Sequence, residues 1–353
     1  MKIIVTGAAG FIGSHAVERY LNRGHTVVGI DNMSRPGNAS NLRYLQQIGR
    51  EYFLSYTADV RNSHEIERVF DEHRDVALVI HEAGQVAVTT SVANPRLDFE
   101  SNALGTLNLL ETTRLRAPEA IFLFASTNKV YGGLEHVAVR ETTSRYEYAN
   151  LPCGITESEP LDFHSPYGCS KGAAEQYVRD YQRIYGLRTV AFRQSCIYGT
   201  RQYGMEDQGW VAWFTIAALL HRPITIYGDG RQVRDILWVG DLIDLYERAV
   251  ERIDVAAGQI YNAGGGAANS ISLRELLAML EQALGRPIPR VTADWRPGDQ
   301  RIFIANNAKA QRDLDWAPAL SPDRGLPALI EWTNANRPAI ELLLARDRAR
   351  AGH

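Results

Sequence analysis

The chain has 353 residues, 45% of them hydrophobic and 22% charged, which excludes a disordered or fibrous polymer and suits one large α/β domain with a smaller one appended. A formal net charge of −3 offers no basic field for nucleic acid, and no run of about 18 apolar residues exists to cross a bilayer. Three cysteines, Cys153, Cys169 and Cys196, lack zinc spacing, and no basic leader precedes a cleavable apolar stretch, so a soluble cytoplasmic protein with reduced thiols and no metal site is expected.

Lys2 to Thr6 reads as a strand ending in Gly7-Ala8-Ala9-Gly10-Phe11-Ile12-Gly13, followed by a helical pattern through Leu21 and a second strand over Thr26 to Asp31. That is one βαβ unit. Its glycines let the backbone approach a pyrophosphate at the positive end of a helix, although Gly-x-x-Gly-x-x-Gly departs from the commoner Gly-x-Gly-x-x-Gly. Asp31, at the end of the second strand, suits the two ribose hydroxyls of an adenosine and repels a 2′-phosphate, which favours NAD over NADP; Arg35 nearby pulls the other way. Gly7, Gly10, Phe11, Ile12, Gly13, Asp31, Asn32, Ser34 and Arg35 are the candidate cofactor contacts of this unit.

Further along, Asp59 and Val60 close another expected strand where an adenine ring would lie. His81-Glu82-Ala83-Gly84-Gln85 follows an apolar run at Ala77 to Ile80, and Ala83, Gly84 and Gln85 are assigned to the cofactor cleft because small residues suit a chain passing close to a ligand. His81, with no metal partners spaced around it, reads as a packed histidine. Apolar runs recur at Ile121 to Ala125 and Thr189 to Phe192 between helix-like segments, so the fold class is α/β, a doubly wound parallel sheet of Rossmann type.

Residues 133 to 164 break this rhythm and read as a long loop before Tyr167, a candidate wall of the substrate site. Tyr167 and Lys171, four apart, share one face of a helix, where an ammonium can lower a phenol's pKa from roughly 10 toward neutrality. With sixteen tyrosines and only four lysines, chance placement gives about 0.2 such pairs. Gln259 to Ala263 reads as a strand returning to the main sheet, before a helical portion starting near Leu273. The domains are therefore expected to interleave, with 1–192 and 236–263 binding the dinucleotide and 193–235 and 264–353 the substrate, while Arg348 to His353 fray. Trp210, Trp213 and Phe214 suit either a base stack or core packing.

Thr6-Gly7-Ala8-Ala9-Gly10-Phe11-Ile12-Gly13, Asp31, Asn102-x-x-Gly105-Thr106, Thr127, Tyr167-x-x-x-Lys171 and Arg296-Pro297-Gly298-Asp299 together resemble the extended short-chain dehydrogenase/reductases over nearly the whole chain. Within that family, Ser126-Thr127-Asn128-Lys129-Val130-Tyr131-Gly132 and Asp207-Gln208-Gly209-Trp210-Val211-Ala212-Trp213-Phe214 are most similar to the branch of CDP-paratose/CDP-tyvelose 2-epimerases. The resemblance implies catalytic Thr127, Tyr167 and Lys171, and adds Asn102 to the cofactor contacts. It also implies a homodimer paired through helices near Leu104 to Arg114 and Ser170 to Tyr185. Arg234 and Arg296 resemble the family's diphosphate clamps, where guanidinium suits two adjacent phosphates. Arg201 and Ser195 are weaker substrate candidates, and Cys196 replaces an asparagine that touches substrate in many relatives.

Dehydratases of this family carry Asp-Glu directly after the catalytic threonine, as acid and base for eliminating water. Here Asn128 and Lys129 stand there, either touching substrate or facing away. Oxidation and return of the same hydride remain, which is epimerisation of a nucleotide-diphosphate sugar, a CDP-hexose at C2 being favoured. The competing readings are a UDP-hexose 4-epimerase and, from another class, an NAD-binding protein without turnover.

Overall fold

The computed structural model describes residues 1–296 and 300–351. Pro297-Gly298-Asp299 and the end of the Arg348 to His353 segment lie outside the described residues, but the last helix, Arg337–Ala351, carries regular structure into the stretch expected to fray. Among the described residues no helix is long and apolar enough to cross a membrane.

The main sheet contains β1 (Lys2–Thr6), β2 (Thr26–Asp31), β3 (Phe53–Thr57), β4 (Val76–His81) and β5 (Ile121–Thr127), with two further strands at Arg188–Gln194 and Ile260–Ala263. Its spatial order is β3, β2, β1, β4, β5, Arg188–Gln194, Ile260–Ala263, with every pairing parallel. Ile3, Val5, Leu78, Ile80 and Leu123 face one apolar core, and Ile4, Val28, Val79, Phe122 and Phe124 the other. Alternating side chains thus bury both faces, so the strands read as unbroken apolar runs. Each such side chain contributes about 1.5–3 kcal/mol on leaving water. Helices α1 (Phe11–Asn22), α2 (Asn38–Gly49) and α3 (Ser63–Glu72) belong to the first half of the winding. A 21-residue helix, Ser165–Tyr185, packs across β5 and Arg188–Gln194 in the second.

A smaller sheet is built on Val233–Trp238, which pairs in parallel with Cys196–Tyr198 and Ile302–Phe303 and antiparallel with Ser270–Ser272. The boundary expected at 235/236 therefore falls inside one continuous strand. Ala310, Leu314 and Trp316 join the core behind β1, so part of the C-terminal segment expected in the second domain packs on the first. The stretch expected to be a plain loop holds an antiparallel pair, Val139–Glu141 with Tyr146–Tyr148. Tyr146, Tyr148 and Ile155 bury against Val233, Ile302 and Phe303, partners too distant in sequence to leave a local pattern.

Candidate active site

The order of the sheet reverses between β1 and β4, and at their carboxyl ends the two turns touch. Gly7 has φ +67°, and a Cβ there would lie 2.8 Å from the Ala83 amide nitrogen. A Cβ on Gly13 would overlap the Gly7 carbonyl oxygen, so that position too admits only hydrogen. Gly10 caps α1 without a side chain and no acidic residue occupies the first turn, which leaves its amides and positive dipole end to an anion. Asp31 is buried and aimed by hydrogen bonds from the Ala9 amide (3.0 Å), the Met33 amide (2.8 Å) and Asn38 Nδ2 (2.9 Å). This cradle, helix end and fixed carboxylate fit a dinucleotide. Asn32 donates to Asp59 at 3.0 Å and its Oδ1 accepts from the Ser34 amide at 3.1 Å, while Arg61 clamps the Asp59 carboxyl and holds it down to about 2. Val60 packs beneath Gly105, and Arg35 lies within electrostatic reach of Asp207.

Asn102 fastens the strand-end segment to the long helix. Its Oδ1 accepts from the Gln85 amide (2.9 Å), and its Nδ2 donates to the Gln85 carbonyl and to Ser170 Oγ (both 3.0 Å). His81 is buried between Thr6 (2.7 Å) and Thr106 (3.0 Å), the packed histidine expected.

Tyr167 and Lys171 are buried on the same face of the Ser165–Tyr185 helix. The Thr127 hydroxyl at the end of β5 hydrogen-bonds the Tyr167 phenol. Lys171 Nζ donates to the Ala125 carbonyl at 2.8 Å and lies 4.9 Å from the centre of the Phe124 ring. Here the structure corrects the expectation that Lys171 draws the phenol toward neutrality. Burial pushes the phenol up to about 12, with Asp98 and Glu82 acting the same way against Thr127, because an anion loses more solvation than one hydrogen bond returns. Lys171 is itself brought down to about 8 by burial, opposed by Glu82 and Asp98.

On the substrate side, Thr127 caps the Asn128–Tyr131 turn through the Lys129 amide (3.2 Å) and donates to Asn128 Oδ1 at 3.4 Å. Lys129 Nζ reaches Gln300 Oε1 at 3.4 Å, and both Lys129 and Arg234 act electrostatically on half-buried Cys196. Lys129, Cys196 and Arg234 are thus gathered in one place. The Ser195 hydroxyl is given to Asp235, and Arg234 donates to the Val233 carbonyl at 2.8 Å. Arg296 stacks 3.8 Å over Tyr227 and donates to the Glu206 carbonyl at 3.1 Å. Arg201 departs from its expected role: it pairs with Glu18 at 2.7 Å and stacks on Tyr44, so its guanidinium serves α1 and α2 rather than a diphosphate. Phe214 is core, and Trp210 donates to Cys196 Sγ at 3.3 Å.

Two features escaped the sequence reading. Burial raises the Glu82 carboxyl to about 7, against hydrogen bonds from Tyr246 and Gln194. Behind Thr127, Glu175 accepts from Ser126 Oγ at 2.6 Å and pairs with Arg193 at 2.6 Å. The one local signal was an acidic residue directly before the small pair Ala83-Gly84 at the end of an expected strand.

Fold and cleft define the class of α/β enzymes that bind a dinucleotide at the switch point of a doubly wound sheet. The sequence model of the GDP-mannose 4,6 dehydratase family matches residues 4–328. CDP-paratose 2-epimerase of Salmonella typhi is 42% identical over 340 residues, 95% of this chain and 100% of that protein. UDP-glucose 4-epimerase from Thermotoga maritima, solved with UDP-glucose, superposes with a TM-score of 0.82 at 32% identity, covering 95% of this chain and 99% of that one. The dTDP-glucose 4,6-dehydratase DesIV from Streptomyces venezuelae, solved with NAD, gives a TM-score of 0.82 or 0.83 at 28% identity, covering 97% and 100%. The chain belongs to the NAD-dependent epimerase/dehydratase family of nucleotide-sugar enzymes.

Proposed function

We propose that this enzyme is an isomerase that inverts C2 of a CDP-linked hexose, of the CDP-paratose/CDP-tyvelose type, through a transient 2-keto sugar. The observation that carries the reading is the turn after β5. Beside Thr127, Tyr167 and Lys171 stand an amide and an ammonium, Asn128 and Lys129, in place of the carboxyls that elimination of water needs. The 42% likeness to CDP-paratose 2-epimerase supports C2 and cytidine. A second reading, a UDP-hexose 4-epimerase, is favoured by UDP-glucose 4-epimerase of Mycolicibacterium smegmatis at 32% identity over 94% of this chain and 98% of that protein, and needs the same groups. We assign the cytoplasm, a homodimer, cofactor binding to 1–192 and 236–263 with Ala310, Leu314 and Trp316 packed on it, and nucleotide-sugar binding to 193–235 and the rest of 264–353.

Bound NAD⁺ supplies the hydride acceptor and, once reduced, the donor, so it stays bound and is regenerated each turnover. In this proposal Gly7, Gly10 and Gly13 admit its pyrophosphate, Asp31 its adenosine ribose, and Lys171 its nicotinamide ribose. A carbinol C2–H is too weakly acidic to be removed directly, so oxidation comes first. Tyr167, as phenolate, takes the proton from the C2 hydroxyl while the C2 hydrogen leaves as hydride, and Thr127 holds the same oxygen. The positive charge of an oxidised nicotinamide would offset the burial that otherwise keeps the phenol protonated. The ketone turns over, receives the hydride on its other face, and Tyr167 returns the proton to oxygen. Arg234 and Arg296 hold the diphosphate throughout.

The test is NMR of products after CDP- and UDP-linked hexoses and 3,6-dideoxyhexoses are offered without added NAD. Inversion at C2 of a CDP-sugar is expected; inversion only at C4 of a UDP-sugar replaces this reading with the second. Protein purified without bound NAD would point to a non-catalytic binder. Tyr167→Phe is expected to retain bound NAD, read from its absorbance after denaturation, while losing at least about 100-fold in kcat. Near-normal turnover would remove Tyr167 from the chemistry.

A further inference from the structure

We propose that Asp98 is a positioning residue: its buried carboxylate ties together the three segments around Lys171 and so sets where the ammonium stands in the cofactor cleft. Asp98 lies on the short helix Pro95–Phe99 and is fully buried. Its Oδ2 accepts from Ser170 Oγ at 2.5 Å, and its Oδ1 accepts from Gln85 Nε2 at 2.9 Å and from Asn102 Nδ2 at 3.2 Å. Each partner belongs to a different stretch of chain. Ser170 directly precedes Lys171 on the Ser165–Tyr185 helix, and Gln85 directly follows Gly84 in the turn after β4. Asn102 lies in a π-helical turn, Glu100–Leu104, that continues from the helix of Asp98 itself.

These contacts close around the lysine. A Cβ on Gly84 would lie 3.3 Å from Lys171 Nζ and 2.7 Å from Asn102 Oδ1, so the ammonium and the Asn102 amide flank the same point of the turn. The Ser170 hydroxyl accepts from Asn102 Nδ2 at 3.0 Å while it donates to Asp98. All three groups that meet Asp98 are donors, and a carboxylate answers them with two oxygens and no hydrogen of its own. None of them is a cation, so the carboxylate is held by directed hydrogen bonds rather than by an ion pair. An apolar side chain would fill the space at a smaller desolvation cost, and what the carboxylate adds is a fixed geometry among the three segments. Asp98 and Asn102 are four apart and both reach the long helix, and the π turn between them and Gly105 is the kind of irregularity that recurs where a helix serves a site.

The chain has only four lysines, Lys2, Lys129, Lys171 and Lys309, so ε-¹³C-lysine NMR can follow Lys171 directly, with Lys171→Met assigning its resonance. The ε protons of Lys171 sense the Phe124 ring, whose centre is 4.9 Å from Nζ, and their shift therefore reports position. Spectra are taken in saturating NAD⁺ without sugar, so they stand even if the sugar assignment fails. Asp98→Asn turns an amide N–H toward groups that themselves donate, and Ser170→Ala removes the same link from the helix side without adding bulk. In both, the Lys171 resonance is expected to move toward its random-coil position. A resonance unmoved in both variants overturns the inference, whatever their melting temperatures, because a merely structural carboxylate would lower stability and leave the folded lysine in place. The functional consequence rests on the proposed hold of Lys171 on the nicotinamide ribose: loss of bound NAD to charcoal should be about tenfold faster in Asp98→Asn. A moved resonance with unchanged NAD release would uphold the positioning of Lys171 and overturn that hold.

Discussion

His81 shows how a single residue couples the cleft to pH. Burial holds its imidazole at about 3 against an ordinary 6.5, so the folded protein keeps it neutral while the unfolded chain takes up a proton. A depressed basic group of this kind contributes stability that is fully present above 6.5 and is lost as pH falls from 6.5 toward 3, at roughly 1.4 kcal/mol per unit. His81→Gln retains a donor and an acceptor for Thr6 and Thr106 but cannot titrate. Urea midpoints measured from pH 7.5 to 5 should therefore decline less steeply in the variant; parallel curves would mean that His81 takes up its proton as readily in the folded state as in the unfolded chain. Tyr167 and Lys171 were legible from the sequence because spacing of four is a geometric constraint within one helix. The high phenol pKa, the bond from Tyr246 to Glu82 and the turn of Arg201 toward Glu18 were not, since each depends on groups brought together only by the tertiary fold.

The Ser165–Tyr185 helix begins with Pro166 at its first turn and ends at Gly186 in the left-handed region, as helix chemistry favours. Between them, Tyr167, Lys171, Glu175 and Val178 recur at intervals of three or four and are buried against the sheet. Glu175 anchors this stripe, pairing with Arg193 of the adjacent strand and accepting from Ser126, the neighbour of Thr127. Glu175→Gln leaves the Arg193 guanidinium buried with only part of its charge met, a loss of about 3–5 kcal/mol in unfolding free energy. Denaturant unfolding reads it directly, and a change within about 1 kcal/mol would show that water or a neighbour takes over the pairing. The two strands that carry the helix were legible as apolar runs at Ile121 to Ala125 and Thr189 to Phe192, which match the observed strands to within two residues at each end. The Val139–Glu141 and Tyr146–Tyr148 pair was not, because two strands of three residues carry almost no periodicity and their burial depends on Val233 and Phe303.

At the scale of the molecule, the outer faces of two packed helices carry apolar side chains that the fold does not cover. Leu104 precedes and Leu115 lies within Gly105–Arg116, while Tyr177 and Ile184 lie on Ser165–Tyr185, with Ile184 66% exposed and Leu115 55% exposed. Tyr177 and Ile184 are seven apart and Leu104 and Leu115 eleven, so each pair forms a stripe along its helix. A stripe of this size on a monomer favours association. One stripe lies on the helix that holds Tyr167 and Lys171 and the other on the helix packed beside it, and a twofold pairing of these helices would bury the stripes and stiffen the first helix from its solvent side. In the homodimer proposed above, such pairing would add to the site's rigidity while each subunit kept its own cleft. Replacing both Tyr177 and Ile184 by glutamate places four carboxylates in a symmetric apolar seam, which desolvation and mutual repulsion should open. Light scattering coupled to size exclusion is expected to show the parent chain as a dimer near twice 39.4 kDa and the double variant as a monomer with unchanged far-UV circular dichroism. A variant that remains dimeric would place the interface elsewhere and leave these stripes without a partner. If it becomes monomeric and loses melting temperature together with kcat, the bracing of the Tyr167 helix by its symmetry mate follows.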